Sequence, residues 1–141
     1  MQKFHTTVNE VAPEPTVETD GWRRVDYRIL LGRENVGSTN GCLYRSVFPP
    51  GGAHKKHLHS KSDELVYVIR GRGAHGQGDD EWEVGPGSCY FIPKNVPHWL
   101  RNLDPVQPVE LVGVYLGAGS LEETGYVYFG EVEERDMRVR V

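Results

Sequence analysis

Gly51-Gly-Ala-His54-Lys55-Lys56-His57-Leu-His59-Ser-Lys-Ser-Asp-Glu64-Leu-Val66-Tyr-Val-Ile-Arg-Gly71 is the stretch on which the reading of this chain turns. His57 and His59 are two residues apart, so on a β-strand both imidazoles point to one face. Glu64 opens the next apolar run, across a short polar turn over 60–63. Pairing the two strands sets its carboxylate beside the imidazoles. His98, just after Pro97, lies where another strand can close the same site. Three imidazoles and one carboxylate are a borderline donor set. They suit one divalent transition metal ion: Fe, Mn, Ni, Co, Cu or Zn. Four protein donors leave up to two open positions on a six-coordinate ion, and such positions are where metal catalysis occurs.

A second pattern follows downstream: Gly87, Pro93, Asn95, His98 and Asn102. Together the two segments, 51–71 and 87–102, resemble the paired motifs of the cupin superfamily. Gly51, His57, His59, Glu64 and Gly71 match the first at every fixed position. Gly87, Pro93, His98 and Asn102 match the second. The departure is Asn95, where the family usually has Gly. Asn is the next-best residue for a left-handed backbone, which makes the change conservative. The resemblance implies an all-β, double-stranded β-helix (a jelly-roll barrel) with His57, His59, Glu64 and His98 as ligands to a metal inside it. It does not imply one reaction, because cupins include dioxygenases, decarboxylases, isomerases, cyclases, lyases and non-catalytic binders. Cupins are also commonly dimers.

Alternation assigns faces around the motifs. If Glu64 points inward, so do Val66 and Val68; if His98 points inward, so does Leu100. Val66 and Leu100 are therefore candidate substrate-lining residues. Leu65, Tyr67, Ile69 and Trp99 then point outward and need a cover, which predicts a homodimer. His54 falls off the inward face of a straight strand and reads either as a rim histidine or as a proton-transfer group. Tyr44, Arg45 and Tyr115 sit on strands that line a barrel, but either register of Cys42–Phe48 is apolar enough, so their faces stay open. Tyr44 and Tyr115 are catalytic candidates beside His54. Arg45, Lys55 and Lys56 are candidates for attracting an anionic substrate to a cationic metal site. His5 and His75 are expected at the surface. Trp22, Trp82 and Trp99 are expected to pack, and Cys42 and Cys89 to be buried thiols, with a single disulfide open.

Outside the motifs the chain is a series of short apolar runs between Gly and Pro turns: Trp22–Leu31, Cys42–Phe48, Cys89–Ile92, Val109–Leu116 and Gly125–Val132, with a hairpin turn over 76–80. Seventeen Gly and nine Pro in 141 residues favour short strands, and no amphipathic helix of convincing length is present. Residues 1–20 are polar, carry Pro13 and Pro15, and read as an arm ordered against a partner subunit; 21–141 are expected to form the barrel. A net charge of −4 without a basic stripe argues against nucleic acid. No run is long and apolar enough for a membrane, and the expected compartment is the cytoplasm. The expected function is a metal-dependent enzyme acting on a small oxygenated substrate, and the resemblance to cupins alone ranks a dioxygenase ahead of isomerase, lyase or decarboxylase. A non-catalytic binding or sensor protein is the rival.

Overall fold

The computed structural model describes residues 3–140; Met1 and Gln2 of the expected arm, and Val141 of the expected barrel, lie outside the described residues. Eleven strands occur among the described residues: β1 Trp22–Arg23, β2 Asp26–Leu31, β3 Gly41–Phe48, β4 Ala53–His59, β5 Glu64–Arg70, β6 Gly73–Gln77, β7 Asp80–Val84, β8 Cys89–Ile92, β9 His98–Asn102, β10 Val109–Leu116 and β11 Tyr126–Gly130. They form two antiparallel sheets. One runs β1-β4-β9-β6-β7, with β11 also paired to β4; the other runs β2-β3-β10-β5-β8. Strands adjacent in each sheet are mostly distant in sequence, and the two sheets enclose one core. This is the expected all-β, double-stranded β-helix. The single α-helix described, Arg33–Val36, is one turn long, and no helix among the described residues is long and apolar enough to cross a membrane.

Alternation builds the interior. Along β3 the buried positions are Cys42, Tyr44, Ser46 and Phe48, and along β10 they are Val109, Leu111 and Tyr115. Glu64, Val66 and Val68 of β5 face the same core, whereas Leu65, Tyr67 and Ile69 are exposed. The expected Trp22–Leu31 strand is broken. Arg24 takes φ 58, and the chain passes there from the six-stranded sheet into the five-stranded one. Asn95 has φ 67, the left-handed conformation its position requires.

The described segments before and after the barrel both bond to it. Glu14 N–H donates to the Tyr27 carbonyl at 2.7 Å, and Arg28 Nη1 donates to the carbonyls of Val8 and Val11 at 3.1 and 2.9 Å. The N-terminal segment thus has partners within its own chain. Trp99 points out of the barrel as expected yet is only 1% exposed, and the C-terminal segment bonds to the Glu81 and Lys56 side chains that hold it. Trp99 Nε1 donates to Glu81 Oε2 at 2.9 Å. Arg101 grips the same carboxylate twice, at 2.7 and 3.0 Å, and Val139 N–H donates to it at 3.0 Å. Lys56 pairs with Asp136 at 2.5 Å, and its ammonium lies 5.2 Å from the Trp99 ring centre. Trp99 therefore needs no second subunit. Trp82, in contrast, is 38% exposed. Cys42 is buried, and burial pushes its thiol up to about 12. Cys89 is exposed rather than buried, and both cysteines are free.

Burial alone would raise the Glu81 carboxyl, but Arg101, Trp99 and Val139 N–H hold it below its ordinary value of 4.5. The folded form then binds fewer protons than the unfolded chain. The stabilisation is complete above the ordinary value and is lost as pH falls through the folded one. Glu81→Gln should lower unfolding free energy by about 2 kcal/mol at pH 7, with the gap to wild type closing in acid. Urea unfolding at several pH values measures this, and a pH-independent difference would contradict it.

Candidate metal centre

The site is built by β4, β5 and β9. His57 pairs with His98 across β4 and β9, and Glu64 opens β5. His57, His59, Glu64 and His98 are all 5% exposed or less. The ring nitrogens of His57, His59 and His98 fall within 4.8 Å of one another. Glu64 Oε1 lies 3.2 Å from His59 Nε2 and 3.4 Å from His98 Nε2.

Each imidazole is fixed from behind. His57 Nδ1 lies 2.7 Å from the Lys55 carbonyl, and His98 Nδ1 lies 2.9 Å from the Val96 carbonyl. A carbonyl only accepts, so both Nδ1 atoms carry a proton, and a neutral ring so held presents its Nε2 lone pair to the cluster. Burial, then the neighbouring His54, His98 and His59, hold the His57 pKa well below the ordinary histidine value, so this ring is neutral. His59 Nε2, Glu64 Oε1 and His98 Nε2 are buried without hydrogen-bond partners. Lone pairs turned toward one another in a dry interior are unfavourable unless a cation lies between them. The donor set therefore fits a divalent metal.

The surroundings are aromatic. Tyr44 OH donates to Glu64 Oε2, and Tyr115 and Tyr27 share a hydrogen bond at 3.1 Å. Burial first, and then the Glu64 charge among other neighbours, raises the phenols of Tyr44, Tyr90 and Tyr115 well above the ordinary tyrosine value. They stay protonated, so each has a proton to donate. The cavity beside the cluster is only about 30 Å³, lined by Tyr44, Tyr90, Tyr115 and Leu100 among others. That is room for little more than one water molecule. A cavity of about 570 Å³ lies between the N-terminal segment and the barrel, and Trp22 lines both. Around the larger cavity stand the carboxylates of Glu10, Glu14, Asp20, Glu34 and Glu122, with Lys3 as its cation.

The other site candidates divide. Tyr44 and Tyr115 face the interior beside the cluster, and Leu100 lines the small cavity. Val66 is buried in the core and lines neither cavity described here. His54 departs from its straight-strand expectation. Between the pairs His54–Leu100 and His57–His98, two residues of β4, Lys55 and Lys56, stand opposite the single Trp99 of β9, which is a bulge. The extra residue brings His54 inward as well. Its ring stacks on His57 at 3.5 Å and on Trp22 at 3.6 Å, and its Nε2 lies 2.9 Å from Tyr126 OH. Arg45 and Lys55 do not reach the site. Arg45 lies on the outer face of β3, where it pairs with Glu110. Lys55 is turned out by the bulge to Glu131 at 2.6 Å. His75, expected at the surface, is 1% exposed and stacks on Tyr90 at 3.9 Å. Its alternation with Gly73 and Gln77 on β6 carried that signal. Thr124, on the 3₁₀ turn Glu122–Thr124, went unnoticed, and its hydroxyl meets His59 Nδ1 at 2.8 Å.

Comparison with known proteins agrees with this geometry. A family model for the cupin domain matches residues 44–115. The chain is 34% identical over 82 residues to protein SchB of Streptomyces halstedii, which covers 58% of this chain and 59% of SchB. The chain thus spans less than two thirds of that relative. It is 31% identical over 105 residues to L-ectoine synthase of Bordetella parapertussis, covering 72% of this chain and 73% of that one. Among solved structures, the polyketide cyclase RemF from Streptomyces resistomycificus superposes with a TM-score of 0.69 at 24% identity. That match covers 82% of this chain and 80% of RemF, and it shows the shared fold.

Proposed function

The chain belongs to the cupin family, and from that premise we propose that it is a metal-dependent enzyme acting on a small oxygenated organic molecule. His57, His59, Glu64 and His98 would hold one divalent transition metal ion. The observation that carries this reading is the set of partnerless buried atoms, with His59 Nε2 and His98 Nε2 gathered 3.2 and 3.4 Å from Glu64 Oε1. Bound there, the ion supplies Lewis acidity toward a carbonyl, enolate or carboxylate oxygen. The chain's own groups do the rest. Tyr44 holds Glu64 Oε2 and so orients the carboxylate. The protonated phenols of Tyr90 and Tyr115 are available as hydrogen-bond donors to a developing negative oxygen. Burial keeps His54 neutral beside His57.

L-ectoine synthase, the relative covered over most of its length, is named for a synthetic reaction and not for oxygen chemistry. That ranks Lewis-acid chemistry ahead of O2-dependent cleavage, which has no particular support at this site. The acidic lining of the larger cavity likewise does not favour the anionic substrate expected from the sequence. The two free thiols suit a reducing cytoplasm. Elemental analysis of protein purified without added metal, followed by a substrate screen on an oxygen electrode, tests the reading. Metal-dependent turnover without O2 uptake is expected; turnover in metal-free protein would overturn it.

A second copy of the chain is the proposed cover for the outer face of the five-stranded sheet. Leu65, Tyr67, Ile69 and Phe91 are 43–51% exposed there, with Leu65 and Phe91 paired across β5 and β8. Light scattering at micromolar concentration should give twice the 15.9 kDa of one chain. A 15.9 kDa species would remove the dimer.

A further inference from the structure

The three imidazoles of the centre are held from behind by partners of different kinds. His57 and His98 face backbone carbonyls, at 2.7 and 2.9 Å, and a carbonyl leaves no choice of tautomer. His59 faces the hydroxyl of Thr124 at 2.8 Å. A hydroxyl both donates and accepts, so this contact alone does not say which ring nitrogen carries the proton. The direction is decided one bond further on. Thr124 Oγ1 lies 2.5 Å from the Leu121 carbonyl. The hydroxyl has one proton, and the carbonyl can only accept it. Oγ1 is left with lone pairs toward His59, so Nδ1 carries the hydrogen and Nε2 faces Glu64 as a lone pair. Thr124 is 0% exposed, so water does not compete for either bond.

We propose that Thr124 is a positioning residue that selects the tautomer of His59 and thereby sets the affinity of the site for its metal. This rests on the metal reading above. Of the three imidazoles, His59 alone has a side chain behind Nδ1, so it is the one whose tautomer a substitution can change. With the hydroxyl turned round to donate to Nδ1, the ring proton would sit on Nε2 and close that position to a metal.

The test is titration of the full metal-free chain with Co(II) against a competing chelator, for wild type, Thr124→Ser and Thr124→Val. Valine keeps the shape and loses the hydroxyl; serine keeps the hydroxyl and loses the methyl. Tautomer selection predicts wild-type-like affinity for Thr124→Ser and about 10–100-fold weaker binding for Thr124→Val. A packing role predicts the reverse order, and that result overturns the proposal. Nitrogen chemical shifts of His59 in the metal-free wild-type protein give an answer that does not depend on either variant folding. A proton on Nδ1 is expected, and a proton on Nε2 would overturn the proposal. If the wild-type chain takes up no Co(II), the metal reading fails and this one with it. If wild type binds and Thr124→Val binds equally well, the Thr124 inference fails alone.

Discussion

Glu64→Gln should lower metal affinity at least about 100-fold, or about 2.7 kcal/mol, and abolish turnover, while leaving the metal-free protein no less stable than wild type. Glu64 is the only anionic donor of the cluster and is 5% exposed. Glutamine has the same size, and its carbonyl oxygen can still accept from Tyr44. Its amide then donates toward His59 Nε2 and His98 Nε2, 3.2 and 3.4 Å from the present Oε1 position. Donors replace a buried charge, so the lone pairs that are strained without a cation become satisfied. Affinity and thermal stability of the metal-free form should move in different directions. Chelator competition and calorimetry on one preparation read both. Full turnover by a metal-free Glu64→Gln protein would end the metal-based account.

Gly76→Ala should destabilise the fold by at least about 3 kcal/mol and lower the melting temperature by about 10 °C. Gly76 pairs with Trp99 across β6 and β9. A Cβ at position 76 would fall 1.7 Å from Trp99 Cε2 and 2.0 Å from Cζ2. The indole cannot yield easily. Glu81 holds its nitrogen at 2.9 Å, Lys56 sits over its ring, and Val139 N–H in turn holds Glu81. Trp99 directly follows His98, so the strain reaches the centre too. Calorimetric unfolding measures the effect, and a change below about 0.5 kcal/mol, as for an ordinary surface position, would contradict the contact.

The cluster itself was legible because its information is local. Two histidines at i, i+2 share a face whatever the rest of the fold does, and Glu64 and His98 each begin a strand after a turn. The misreadings have specific causes. His54 was misplaced because a bulge adds one residue between it and His57, and nothing in Lys55-Lys56 announces an interruption of alternation. The same extra residue turned Lys55 away from the site. Arg45 was undecidable because a one-residue change of register swaps every side chain of β3 between core and surface. The groups that hold Glu81 and Lys56 against Trp99 include Val139 N–H and Asp136, near the far end of the chain, where no periodicity points. Thr124 stands 65 residues from His59 on a short turn, and a role exercised through the back of an imidazole leaves no spacing motif.

The ring stack that begins at Trp22 has a consequence for spectroscopy. Trp22 lies face to face with His54, and His54 with His57, at 3.6 and 3.5 Å. An indole two stacking contacts from an imidazole proposed as a ligand is close enough to be quenched by an ion with unpaired electrons. Trp99, behind the sheet, and the half-exposed Trp82 share the emission band. A Trp22→Phe protein would isolate the first contribution by difference. On the proposed reading the chain carries its own optical gauge of occupancy: open-shell Co(II), Ni(II) or Cu(II) should dim Trp22, whereas closed-shell Zn(II) should leave it bright, with no label attached.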